Sequence, residues 1–250
     1  MLKIIKFELS KQLKRRENLM VLFMFLLPLL YSIGISSNSA AITYNSSDPV
    51  TGLSFARSMY IFVYMVFIIH LILAINSSNI LRGEMDNGSI SMMISRINDR
   101  NKIYKAKFFS QIIYWLAITV LFVVFSIICF YLFISQLEIS NGELIDQKFI
   151  GDIFIIIAVC STFALAISMV QSISMYFKTY VSIGIFIVSW IILVYFKEFP
   201  VVRLISPIYY LENLIDSGDF FDFLKSMILN AIMVSLLNKI GKRKFQRSDM

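Results

Sequence analysis

Charge is scarce in this chain. Asp, Glu, Lys and Arg make up 16 % of its 250 residues, while apolar types reach 58 %. A soluble domain carries about a quarter charged residues, so this chain has too little charge to coat a soluble surface. It has one histidine, His70, and two cysteines, Cys129 and Cys160, which lie in apolar runs and match no metal or redox spacing. Single buried cysteines behave as small hydrophobes. With four prolines and nine glycines, nothing reads as disordered or fibrous. No Gly-x-x-x-x-Gly-Lys-Ser/Thr run occurs, which excludes nucleotide binding of that kind. No serine–histidine pair, metal cluster or carboxylate pair suggests an enzyme.

Long apolar runs are abundant. A hydrocarbon core of roughly 30 Å needs about 20 apolar helical residues to cross it. Six stretches meet that length, at about 19–36, 57–80, 109–135, 150–177, 179–197 and 220–239. Pro28 lies inside the first and is expected to bend it. A tight break near Lys178 divides the fourth from the fifth. The basic start, the apolar run and Ser39-Ala40-Ala41 loosely match a signal peptide, but the run is long enough to span and is read as uncleaved. The chain reads as a single all-α transmembrane domain over 1–250.

Lys and Arg sort by side, as the positive-inside rule requires. Eighteen of the 23 fall in 1–18, in 81–108, at Lys178 and in the C-terminal stretch from Lys239 to Arg247. The other side holds Arg57, Lys148, Lys197, Arg203 and Lys225. Ten of the 16 acids lie on that second side, giving about −5 there and +12 on the first. Six spans with both termini cytoplasmic fit this alternation. The basic rim suits anionic lipid. The acidic rim is either a set of solvated loops or an attractor of cationic substrates.

Four segments stand out. Residues 2–17 form an amphipathic helix with Leu2, Ile5, Leu9 and Leu13 on one face and Lys3, Lys6, Lys14 and Glu17 elsewhere. It is either an orientation signal or a lever along the membrane. In the loop 81–108, Asp86-Asn87-Gly88-Ser89 reads as a turn. Ser89 is placed to cap a short helix with Ile90, Met93, Ile94 and Ile97 on its apolar face. That face needs a partner protein or this protein's own helices, and a second helix from about Arg100 runs into the third span. Segment 198–220 is apolar but broken by Pro200 and Pro207, so it reads as one or two short helices on or in the membrane surface, with Tyr209 and Tyr210 suited to the interface. Within the spans His70 is the one ionisable group well inside, and Lys225 near an end snorkels. Asn76, Ser77, Ser78, Asn79, Gln171 and Ser172 either line a polar path or hydrogen-bond between helices, and Ala164 and Ser168 allow close packing. Without intramembrane acids or a nucleotide motif, transport is either passive or driven by another subunit.

Over essentially its whole length the chain resembles the permease subunits of bacterial type-two ABC exporters. IKFELSKQLKRREN is similar to that family's N-terminal elbow helix. Glu84, Gly88-Ser89, Arg100 and Lys107 fit its inner-loop pattern, with Ile97-Asn98-Asp99 where a proline is usual. Ser206-Pro207 before the last span and the ending from Lys244-Phe245 to Asp249 also resemble it.

The resemblance implies a cytoplasmic ABC ATPase partner that holds ATP and Mg, with no cofactor in this chain. It implies a second permease copy or paralogue, a coupling helix in the inner loop and a helical hairpin at 198–220. Carried over, Arg82, Glu84, Asn87, Gly88, Ser89, Met93, Arg100 and Lys107 couple to the ATPase, while His70, Asn76, Asn79 and Gln171 mark a translocation path. The expected setting is the bacterial cell membrane, with lipid contacts and no nucleic-acid partner. Family cargoes include antimicrobial and cytolytic peptides, bacteriocins, drugs, sodium and polysaccharides. Export of, or immunity to, amphipathic peptides is favoured here. Drug or sodium efflux is the alternative, and a non-transporting assembly factor or sensor the reading from another class.

Overall fold

The computed structural model describes residues 1–37, 49–97 and 99–247. Expectations placed on Ser39-Ala40-Ala41, Asp48, Asn98, Asp249 and the side chain of Glu17 lie outside the described residues.

Regular structure among the described residues is helical, apart from one isolated bridge between Val50 and Ser140. Helix α1 spans Leu2–Leu13, and a 3-10 turn at Arg16–Val21 leads into α2, Leu22–Ser36. Then come α3 (Gly52–Met65) and α4 (Phe67–Ser78). A π turn at Asn79–Gly83 joins α4 to the one-turn α5 (Glu84–Asp86). Next are α6 (Ser89–Ile97), α7 (Arg100–Phe133), α8 (Phe149–Ser174) and α9 (Thr179–Tyr195). Helices α10 (Pro207–Ser217) and α11 (Phe220–Arg247) complete the order.

Five helical stretches are long and apolar enough to cross a membrane: Leu19–Ser36, Arg100–Phe133, Phe149–Ser174, Thr179–Glu198 and Phe220–Arg247. The pair α3 and α4 passes together as a sixth only if the two count as one broken span. This corrects the continuous helix expected over 57–80. The axis bends by 69° at Val66, whose backbone is extended. No proline or glycine marks the break, so composition carried no signal of it. Pro28, the residue expected to disturb a span, is buried within a continuous α2.

The bundle is built around α8. In its most apolar stretch 61 % of residues are buried inside the protein, against 11–33 % in the other four. It packs on α3, α4, α7, α9, α10 and α11. The seam with α11 is stitched by polar pairs: Asn230 donates to Ser161 (2.7 Å), Ser172 donates to the Leu237 carbonyl (2.7 Å), and Asn238 donates to Ser168 (3.4 Å). Interhelical hydrogen bonds and small residues serve packing where lipid tails give helices no hydrophobic reason to associate. Large apolar side chains such as Leu121, Leu132, Val188 and Ile228 point outward instead.

The two ends differ. One carries α1, α5, α6 and the end of α11, where Gln246 reaches Asn101 (2.6 Å). The other carries α10 and the loops, where backbone bonds from Val50, Gly52 and Leu53 to the 139–144 segment pin α3. Ser206-Pro207 starts α10 and Gly218 ends it, in the left-handed conformation glycine tolerates. One or two short helices were expected over 198–220, and α10 with a 3-10 turn at Val202–Ile205 occupies the segment.

Gly241 of α11 has less room around it than Gly52, Gly83 or Gly184. A Cβ there would press on the Tyr104 hydroxyl and lie 3.2 Å from Ser172 Cα. Gly241→Leu should cost about 1–3 kcal/mol through overpacking, read as a lower unfolding temperature in detergent, while Gly184→Leu, with open space around it, should leave that temperature unchanged.

Candidate functional site

At the α1 end five ionisable side chains form a knot. Lys107, two turns into α7 and just before its apolar run, is fully buried, and its ammonium donates to Glu8 of α1 (3.1 Å) and to Glu84 of α5. Glu84 also accepts from Arg15 and pairs with Lys11 at 2.8 Å. Gln12, one turn beyond Glu8, donates to Ser110 of α7 at 3.2 Å. Three separate segments therefore converge on two carboxylates. A buried charge is tolerated only when paired and hydrogen-bonded, so the geometry of α1 against α7 is tightly constrained.

This explains the orientation of α1. Its apolar residues Leu2, Phe7 and Leu13 are exposed, while Glu8 and Gln12 are buried. Glu8 and Gln12 face the protein, Leu9 packs partly on the core, and Leu2, Phe7 and Leu13 share the exposed side with Lys3, Lys6 and Lys14. Glu8, Gln12, Ser110 and Gln111 all escaped the sequence reading. The available signal was the spacing of Glu8, Gln12 and Arg15, which lines one helical face between the apolar positions.

The residues assigned to partner coupling divide into two groups. Glu84 and Lys107 are internal, Lys107 fully buried and Glu84 reaching only the floor of the groove between α1 and α6. Ser89 does not cap from outside α6: it is the first helical residue, and its hydroxyl donates to the Glu84 carbonyl (3.2 Å). Gly88 before it holds φ at 69°, a value that suits glycine. The expected apolar face is also spoken for. Ile90 is fully buried with Leu81, Ile103, Tyr104, Met175 and Phe245, and Met93, Ile94 and Ile97 pack against that cluster. The face is thus covered in part by this protein's own helices: Ile90 fully, Met93, Ile94 and Ile97 partly. What α6 presents outward is Ser91, Met92, Ser95 and Arg96. Arg82 pairs with Asp86 (2.9 Å), Asn87 is exposed, and Arg100 donates to the Gln246 carbonyl (3.1 Å), tying α7 to the end of α11. Asp99 caps α7. Its carboxylate accepts the Lys102 backbone N–H (3.1 Å) and sits 3.1 Å from the Lys102 ammonium, and these contacts hold it below the usual carboxylate range.

Between α1 and α6 runs a groove of about 410 Å³, lined by Phe7, Met92, Met93 and Ile97 with Lys3 and Arg96 at its margins. It borders the knot through Lys11 and Glu84.

The polar residues further along the bundle serve packing. Gln171 of α8 donates to Gln111 of α7 (2.6 Å), which in turn donates to Ser77 of α4. Asn76 is buried and Asn79 half-buried on either side of Ser77. Of the two readings left open for these side chains, hydrogen bonding between helices describes Gln171 and Ser77. His70 is not part of this chain. It lies in an aromatic box, 4.8 Å from the Trp190 ring centroid and 5.6 Å from those of Tyr64 and Phe163.

At the opposite end Arg57 donates to buried Asp152 (2.9 Å), inside a cleft shared with Asp146, Lys148 and Asp216. Lys225 lies 5.2 Å over the Tyr210 ring and 3.7 Å from Asp222.

No protein-family model matches this chain, and no curated protein matches it in sequence. The architecture defines a helical protein with five or six helices able to cross a membrane.

Lys107→Ala leaves Glu8 with no cation in the knot. It should lower the unfolding free energy by about 3–5 kcal/mol. Adding Glu8→Gln should recover part of that loss rather than deepen it, as coupled neighbours require. Chemical unfolding of the single and double variants in micelles provides the measurement.

Proposed function

We propose that the chain is the permease subunit of an ATP-driven exporter of the bacterial type-two ABC class, with six spans, both termini cytoplasmic and the knot on the cytoplasmic side. Its cargo is an amphipathic or antimicrobial peptide, and export also confers immunity. Energy comes from a separate ATPase subunit holding ATP and Mg, and a second permease copy or paralogue completes the pathway in the bacterial cell membrane.

The observation that carries this reading is the knot of Glu8, Glu84 and Lys107. It joins the N-terminal helix, the turn before α6 and the start of α7 through charges that tolerate no separation. A force applied to α6 therefore reaches a membrane-crossing helix directly. Further support comes from the missing nucleotide motif, the charge asymmetry of the loops and the basic, methionine-bearing outer side of α6. Methionine suits adaptable protein contacts, and arginine is enriched at the centres of interfaces.

The test is co-expression with the ATPase encoded beside it. The two should co-purify, and amphipathic peptide should stimulate hydrolysis in liposomes. Met92→Glu with Arg96→Glu, on the outward side of α6, should cut that stimulation by about tenfold or more without lowering the unfolding temperature. Lack of an ATPase partner, or a fully active double variant, refutes the proposal.

A further inference from the structure

The break at Val66 opens a cavity of about 350 Å³. Four helices wall it: α3 through Tyr64, α4 through Phe67 and His70, α9 through Trp190 and Tyr195, and α10 through Glu212. A straight helix would carry residue 67 onward along the axis of α3. The 69° bend swings it aside and leaves the space.

Two features of this cavity call for a ligand. The first is His70, which is 2 % exposed and lacks a hydrogen-bond partner at either ring nitrogen. The Val66 carbonyl lies near enough to influence the ring but outside hydrogen-bonding geometry. Leaving a buried polar group unpaired costs free energy, and here the ring lines open space. The second is the sign of the walls. Aromatic faces carry the negative part of the ring quadrupole; the rings of Tyr64, Phe67, Trp190 and Tyr195 line the cavity, and the imidazole adds a lone pair. Glu212 contributes a carboxylate, held by Lys197 at 2.7 Å from outside the lining. No Lys or Arg lines the cavity. Just beyond it the protein sets its own cations over tyrosines, Arg203 at 5.5 Å from the Tyr209 centroid and Lys225 at 5.2 Å from that of Tyr210. An aromatic enclosure beside a carboxylate suits an organic cation.

The geometry points to a binding site for an amphipathic ammonium ion. The headgroup sits among Tyr64, Phe67, His70 and Trp190, and the apolar tail leaves past exposed Met65 and Ile191. The site's role as a cargo station rests on the exporter reading; the binding itself is a property of this chain alone.

Trp115 and Trp190 are the two tryptophans, so Trp115→Phe leaves Trp190 as a reporter inside the site. The protein in nanodiscs is titrated with benzyltrimethylammonium and with neopentylbenzene, its uncharged isostere, and lipid-only discs serve as blanks. The cation should change Trp190 emission saturably and bind at least about tenfold more tightly than the isostere. Glu212→Gln and Tyr195→Leu, both at partly or well exposed positions, should each weaken the cation severalfold while elution and unfolding temperature stay unchanged. Equal affinity for the two probes, no saturable change, or variants that bind as the parent does would overturn the site. Cation binding without any ATPase partner refutes the exporter reading and leaves the site standing. Peptide-stimulated hydrolysis without cation binding does the reverse.

Discussion

The ammonium of Lys107 has no route to water, and much of the basic end follows from that. An amine in an apolar bundle must stay beside carboxylates. Glu8 and Glu84 lie 99 and 23 residues away in the chain. Their attachment fixes where α1 lies, which side of it faces the protein and where the turn before α6 begins. Arg15 and Lys11 then complete the charge around Glu84. Removing water strengthens each of these attractions and raises the cost of losing any one of them. Such a junction is rigid by necessity.

The same logic, inverted, organises the rest. Elsewhere among the described residues, the Asp152 carboxylate beside Arg57 apart, the buried polar groups are mostly neutral: the amides of Gln111, Gln171 and Asn230 and the hydroxyls of Ser77, Ser168 and Ser172, with half-buried Asn238 beside them. They bond helix to helix around α8, while large apolar residues face outward. Polar stitching inside and an apolar exterior are what a hydrocarbon environment selects.

Much of this was legible in the sequence. Run length located five of the apolar helices, although α11 runs eight residues beyond 239, and the helix starting near Arg100 was expected to continue into the third apolar run, as α7 does. Pairing was less legible. Lys107 counts as one more loop cation until Glu8 is brought beside it, and no spacing rule links positions so far apart. The face of α6 was read correctly as apolar but assigned an open need, because only the fold shows Phe245, at the far end of the chain, arriving beneath it. The break at Val66 left no trace at all. Valine is at home in extended backbone, but a single valine in an apolar run carries no instruction to stop a helix.

Helix α7 has 34 residues without a proline or glycine, so at 1.5 Å per residue it is a rod of about 51 Å, well over a hydrocarbon thickness. One end is clamped by the charged knot and the other lies next to the loop that pins α3. A tilt of about 5° around its midpoint moves each tip by about 2 Å in opposite directions. Any tilt of α7 would therefore displace α6 and the α3 loop contacts in opposite directions.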